Sequence, residues 1–150
     1  MTAYPDTSFL CALYRRQNNT MEAVAHRASM KGSLPVTSLL LFEFRQSVRR
    51  QTFLHRKDPG KGYGEKEGAQ MLADLRSDLS GGLLQIAPVD WAKVMSTAEQ
   101  LSAQHTRKGG HRGFDILHVA TALELGVKEF LTFDARQSAL AKAVALKVKP

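Results

Sequence analysis

Residues 113 to 143 read GFDILHVATALELGVKEFLTFDARQSALAKA. Two apolar runs with helical spacing lie on either side of a short hydrophobic stretch. Asp115 heads the first run and Asp134 the second, and Glu129 to Phe133 leads into the second. The pattern predicts a helix over 115–125, a strand over 129–133 and a helix over 135–146. An aspartate at a helix start is an ordinary cap, because its carboxylate accepts hydrogen bonds from the unpaired N–H groups of the first turn. Two such aspartates around one strand raise the question of what else in the chain joins them.

Outward from this stretch, strands and helices alternate. MTAY is a short, weak strand candidate. TSFLCALYRRQ reads as a helix capped by Asp6 or Thr7, and NTMEAVAHRASMKG as a second helix capped by Asn19 or Thr20 and ended by Gly32. LPVT is a strand, and SLLLFEFRQSVRRQTFLHR a long helix with Leu40, Leu41, Phe44 and Val48 at helical spacing. KDPGKGYG is a loop and the segment expected to be most flexible. EKEGAQMLADLRSDLS is helical, LLQIAPV a strand, and DWAKVMSTAEQLSAQHTR a helix begun by Asp90. KGGHRG is a loop, and KVKP adds a last edge strand. Short apolar strands separated by helices imply a parallel sheet with helices on both faces. The chain length of 150 residues suits one domain spanning 1–150.

In such folds crossovers are right-handed and ligands gather at the carboxyl ends of the strands. Asp6 follows the first strand and Asp134 follows EFLTF. Glu43 lies one helical turn beyond LPVT, and Asp115 begins a helix after a glycine-rich loop. Connections at the carboxyl edge would let all four acids meet. Four carboxylates on one rim repel one another and raise one another's pKa. A divalent cation removes the conflict: magnesium takes oxygen ligands, commonly one or two carboxylates with waters, and manganese fits similar sites. Asp6, Asp115 and Asp134 can each also be read as a helix cap. Glu43 sits in the apolar segment LLLFEFR, where a charge is expensive unless paired. Arg45, two residues on, faces away from it on a helix, so a pair with Gln46, partial exposure or a metal remain as its explanations.

Composition bounds the partners. The formal net charge is +7, a sign that favours polyanions, nucleic acid first and acidic protein segments second. Basic residues crowd between Arg45 and Lys66, where Arg49 and Arg50 are candidates for phosphate contact and a solvated helix face is the bland alternative. No stretch approaches the roughly 20 apolar residues of a membrane span. The N-terminal residues lack a basic leader, so no signal peptide is expected. The single cysteine, Cys11, excludes an internal disulfide, fits a reducing cytoplasm and reads as a small core hydrophobe.

Taken together, YPDTSFL, TSLLLFEFR, GFDILHVATAL and FLTFDAR resemble the four acidic motifs of PIN-domain nucleases, in particular the small VapC-like ribonuclease toxins of bacterial toxin–antitoxin pairs. The motifs occur in the family's order and span residues 3 to 146. The resemblance implies a three-layer α/β/α sandwich on a short parallel sheet and metal-dependent cleavage of RNA with Mg2+ or Mn2+. It implies Asp6 and Asp115 as direct metal ligands, and Asp134 as a ligand or close support. Glu43 would act through a metal-bound water or as the base that orients it. Ser8 and Thr132 match the hydroxyl positions that accompany such sites, although local backbone capping explains them equally. The implied partners are an RNA substrate, a cognate antitoxin protein whose tail inhibits the site, and a second copy of the chain. Two departures stand out. The first strand carries Pro5, which removes a backbone donor just before the first acid, so the placement of Asp6 is expected to depend more on its helix than on the sheet. The segment KDPGKGYGEKEG has no counterpart among the motifs.

Other signals fall away. GKGYGEKEG lacks the terminal GK[ST] of a phosphate loop and does not follow a strand. The five histidines have no zinc spacing, and His118 reads as a buried, hydrogen-bonded residue. Trp91 reads as core or staple. No serine lies in a nucleophile elbow. Arg112, in the loop before Asp115, is a candidate for holding the scissile phosphate or an antitoxin carboxylate. The competing reading is a non-catalytic module that binds RNA or a basic peptide.

Overall fold

The computed structural model describes residues 1–150. In chain order the elements are β1 (Ala3–Pro5), α1 (Thr7–Tyr14), α2 (Thr20–Ser29), β2 (Leu34–Val36), α3 (Ser38–Lys57), α4 (Glu65–Ser80) and β3 (Leu84–Ile86). There follow α5 (Trp91–Leu101), a π turn (Ser102–Thr106), α6 (Arg107–Gly109), α7 (Gly113–Glu124), β4 (Glu129–Leu131), α8 (Ala135–Ala143) and β5 (Lys147–Lys149). The chain divides into two units, Met1–Phe9 with Ala87–Pro150, and Leu10–Ile86. All strand pairings are parallel, but they form two short ladders, β1-β4-β5 in the first unit and β2-β3 in the second.

In the first unit β4 is the central strand. Tyr4 of β1 stands opposite Phe130 of β4, and Phe130 opposite Val148 of β5. Pro5 does not loosen the start of the site as expected. It lies on an edge strand, where a missing N–H is tolerated, and the next residue resumes the ladder: Asp6 N donates to Leu131 O at 2.9 Å. Asp6 is therefore placed by the sheet as well as by α1. Behind it Tyr4, Phe130, Leu131, Val119, Leu140 and His118 are buried. His118 does lie in this core, its Nδ1 3.4 Å from the Tyr4 hydroxyl.

In the second unit α3 buries Leu40, Leu41, Phe44 and Val48, all four predicted from their spacing, and Thr37 caps it by accepting from Leu40 N. Met71 and Leu75 of α4 are buried, and Tyr14 meets Phe44 edge-on at 5.7 Å between ring centres. The glycine-rich loop after α3 is exposed from Asp58 to Gly62 and anchored at Tyr63. Tyr63 is buried under the Arg15 guanidinium, 4.6 Å from the ring centre, and Lys61 O lies 3.1 Å from His55 Nδ1. Gly62 has φ +59, and a Cβ there would meet Gln51 O at 2.1 Å, so no other residue fits.

Three local expectations change. The helix after Asp90 does not stop at Arg107. A π turn carries it on through α6 to Gly110, which takes φ +63, so half of the predicted loop KGGHRG is helical. Trp91 is exposed, so of its two readings, core or staple, the core one falls, and Cys11 is only half-buried. Asn19 makes no side-chain cap on α2; Thr20 accepts from Gln17 N instead. No helix is long and apolar enough to cross a membrane.

Candidate active site

Asp6 is the first residue after β1 and the cap of α1. Its Oδ1 accepts from Phe9 N at 3.0 Å and from the Ser8 hydroxyl at 2.6 Å. A cap needs nothing more, yet Oδ2 accepts a short hydrogen bond from the Thr132 hydroxyl. Thr132 Oγ1 in turn accepts from Asp134 N at 2.9 Å, and Ser8 Oγ accepts from Phe133 N at 2.9 Å. The two hydroxyls stand 3.3 Å apart. Ser8 and Thr132 thus do more than local capping: they stitch the start of α1 to the turn that enters α8.

Asp6 is fully buried, and burial pushes its carboxyl above the usual range. The hydrogen bonds from Ser8, Thr132 and Phe9 N, and the nearby His118, pull the other way. Three donors aimed at one carboxylate are the arrangement that suits an anion, and a cation close by would complete the balance.

Asp134 caps α8. Its Oδ1 accepts from both Arg136 N and Gln137 N at 2.9 Å. Asp115 is different. It is the third residue of α7, whose cap position is Arg112 with no side-chain cap bond. Capping by these backbone N–H groups accounts for one oxygen each of Asp6 and Asp134.

Asp115 and Asp134 line one cleft of about 300 Å³, together with Arg112, Ala135 and Arg136. Two carboxylates thus face two guanidinium-bearing residues around an open space at the N-terminus of α8, where the helix dipole favours an anionic ligand. Arg112 was singled out from the sequence. Arg136 was not, although it stands two residues after Asp134 in FLTFDAR; the signal was its place in the first turn after a capping acid.

Asp6 does not line this cleft, and no three His, Cys, Asp or Glu side chains stand together as a metal cage. The donor set still fits one kind of ion. Magnesium keeps most of its water and takes one or two carboxylates directly, and Asp115 with Asp134 offers such a pair of hard oxygen donors. Glu43 lies half-buried on α3 in the other unit. There Arg45 and Arg49 border a separate cavity of about 420 Å³ with Phe42 and Ile86, and Arg50 is exposed.

Residues 3–143 match the PIN domain family, and the chain belongs to it. The fold is accordingly PIN-like, a helix-rich α/β arrangement with short parallel strands. Among solved structures, the chain is similar to VapC20 of Mycobacterium tuberculosis, described as a sarcin-ricin loop cleaving toxin, with a TM-score of 0.66 and 21% identity, covering 99% of this chain and 100% of that one. FitAcB from Neisseria gonorrhoeae gives 0.67 and 18%, covering 99% and 97%. VapBC2 from Rickettsia felis, bound to a DNA fragment from its promoter, gives 0.69 and 16%, covering 99% and 98%. At these identities the likeness is one of fold. No curated protein matches the sequence.

Proposed function

We propose that this chain is a Mg2+- or Mn2+-dependent endoribonuclease and the toxin of a toxin–antitoxin pair. The reading is carried by one observation: Asp115 and Asp134, which lie far apart in the chain, share a cleft with Arg112 and Arg136. The similarity to VapC and FitAB structures supports the assignment to a nuclease toxin family and to an antitoxin partner. A second copy of the chain as partner rests on the family resemblance.

When bound, the cation supplies a Lewis acid that activates water and offsets charge on the scissile phosphate. Asp115 and Asp134 are the side chains that would hold it. Asp6 keeps the Asp134 turn in place through Thr132 and adds negative potential from behind. The guanidinium groups of Arg112 and Arg136 are suited to the two free oxygens of a phosphodiester, which they can grip with paired N–H donors. Glu43 enters this reading from the sequence pattern alone, as the base, and Glu43→Gln tests it separately.

The test is cleavage of a labelled RNA by purified protein. Cleavage should require Mn2+ or Mg2+, stop with EDTA, and fall by about a hundredfold or more in Asp115→Asn, the order seen when a group central to charge stabilisation is removed. Cleavage that persists in EDTA, or in Asp115→Asn at the wild-type rate, refutes the metal site. RNA binding without any cleavage points instead to a non-catalytic module.

A further inference from the structure

Beside the acid cleft lies a second one, of about 370 Å³, and the two share Ala135 and Arg136 as a common wall. The second cleft has no carboxylate among its lining residues. Its polar wall is His105, Lys108, His111 and Arg136, and its floor is Ala139 and Ala143 of α8. We propose that this second cleft holds the backbone phosphate of a nucleotide flanking the cleavage position, so that the RNA strand runs from the acid pair across Arg136 into the His105–Lys108–His111 pocket. As a flanking subsite it rests on the nuclease reading above. As an RNA-backbone site it does not.

Four observations converge on this cleft. The first is the π turn Ser102–Thr106, which interrupts an otherwise regular helix. An inserted residue of this kind is uncommon and is frequently found at functional sites; here it sets His105 on the cleft wall and leads into Lys108. The second is the seat of His111. A Cβ on Gly109 would stand 2.2 Å from its Nε2, so the imidazole occupies space that only glycine leaves open. The third is that His111 Nδ1 is buried without a hydrogen-bond partner. An unpaired buried nitrogen is costly, so the ring is held there by packing and its hydrogen-bonding capacity on that side is unused. The fourth is the floor. Ala135, Ala139 and Ala143 fall one turn apart on the exposed face of α8, which leaves a trough where longer side chains would fill it.

Phosphate is the ligand these groups suit. Imidazole, ammonium and guanidinium can all donate to an anion, and the Lys108 and Arg136 cations donate only, so a phosphate oxygen is the group that all four side chains can hold together. Recognition would therefore be of the backbone and independent of sequence.

Lys108 and His105 carry the test, because neither lines the acid cleft and Lys108 is exposed. Binding of a fluorescent oligouridylate is measured by anisotropy in EDTA for wild type, Lys108→Gln, His105→Asn and the double variant, with melting temperature as the control for folding. Steady-state cleavage follows in Mn2+. We expect binding to weaken by about three- to tenfold per variant, as for a partly exposed charge-assisted contact, with KM raised by the same factor and kcat kept. If wild type cuts RNA and both variants keep its affinity and KM, the subsite is wrong and the nuclease reading stands. If wild type does not cut but the variants bind more weakly, the nuclease reading fails and the backbone site stands. A fall in kcat at constant KM places these residues at the reaction centre and overturns the inference. So does weakened binding of polyglutamate with oligouridylate affinity retained, which marks a face for acidic peptides.

Discussion

At Asp6 two demands meet. Its carboxylate is fully buried, which favours the protonated form, yet three donors are aimed at it, which favours the anion. Burial is the larger effect, so the folded protein without a cation holds this proton more tightly than the unfolded chain does. The stability contribution is therefore fully present below the unfolded value near 3.8 and is lost as pH rises through the higher folded value. Asn removes the charge and keeps the shape. Its Oδ1 can still accept from Ser8 and Phe9 N, and its amide can donate to Thr132 Oγ1, whose own proton can turn to Ser8. Asp6→Asn should then match or exceed wild type in urea unfolding at pH 7 in EDTA, with the gap closing as pH falls below 4, while RNA cleavage is lost. A variant that is clearly less stable at pH 7 would mean that the Asp6 anion is already well compensated. The acid and its hydroxyls could be picked out in the sequence because Ser8 and Thr132 stand two residues from their aspartates. That one hydroxyl would link Asp6 to the backbone of Asp134 could not, since it depends on parallel pairing between residues more than 120 positions apart.

Elements were readable where periodicity or capping chemistry is strong. Asp90 and Asp134 both accept bonds from the first turns of their helices, and the apolar spacing of α3 located its buried face, although its cap, Thr37, reads in the sequence as the end of the strand LPVT. The failures have one physical cause: they concern backbone features that side-chain patterns do not encode. The π turn adds a residue to a helix without breaking its polarity pattern, and Asp115 sits two residues inside a helix that its position seemed to begin. Close packing is equally silent in the sequence, and Gly68 of α4 shows it. On helix propensity alone Gly68→Ala should stabilise by about 1 kcal/mol. In the fold, the added Cβ would stand 2.7 Å from Thr52 Cγ2 and 3.2 Å from Val48 Cγ1. Both neighbours are β-branched and stiff, and the Thr52 hydroxyl is tied to Arg49 O at 2.8 Å. Overpacking of this kind costs about 1–3 kcal/mol, so the net effect in denaturant melts should be destabilising by about 1 kcal/mol. Adding Thr52→Ser removes the nearest methyl and keeps the hydroxyl, and should recover most of the loss. If Gly68→Ala alone is stabilising, the contact between α3 and α4 is looser than described.

Across the whole molecule, charge is the property that composition reports directly and its distribution is the part worth testing. Of the chain's basic excess, twelve Lys and Arg against seven Asp and Glu fall in Leu10–Ile86, and nine against seven in the remaining unit. The unit without the acid pair thus carries most of the attraction for a polyanion, which distinguishes two sources of RNA affinity. Contacts in the acid and His105–Lys108–His111 clefts serve cleavage. Contacts on α3, where Arg49 and Arg50 are exposed, serve capture, and they should act on any single strand through release of its counterions. Each neutralised phosphate contributes about −0.7 to the slope of log affinity against log salt for a single strand. Replacing both arginines by glutamine should therefore flatten that slope by up to about 1.4 and weaken binding of oligouridylate most at low salt. The rate of cleavage at saturating RNA should remain as in wild type, because capture and chemistry draw on different residues. A slope that does not change would show that α3 meets solvent and not RNA, and the chain's positive charge would then belong to solubility or to an acidic partner protein.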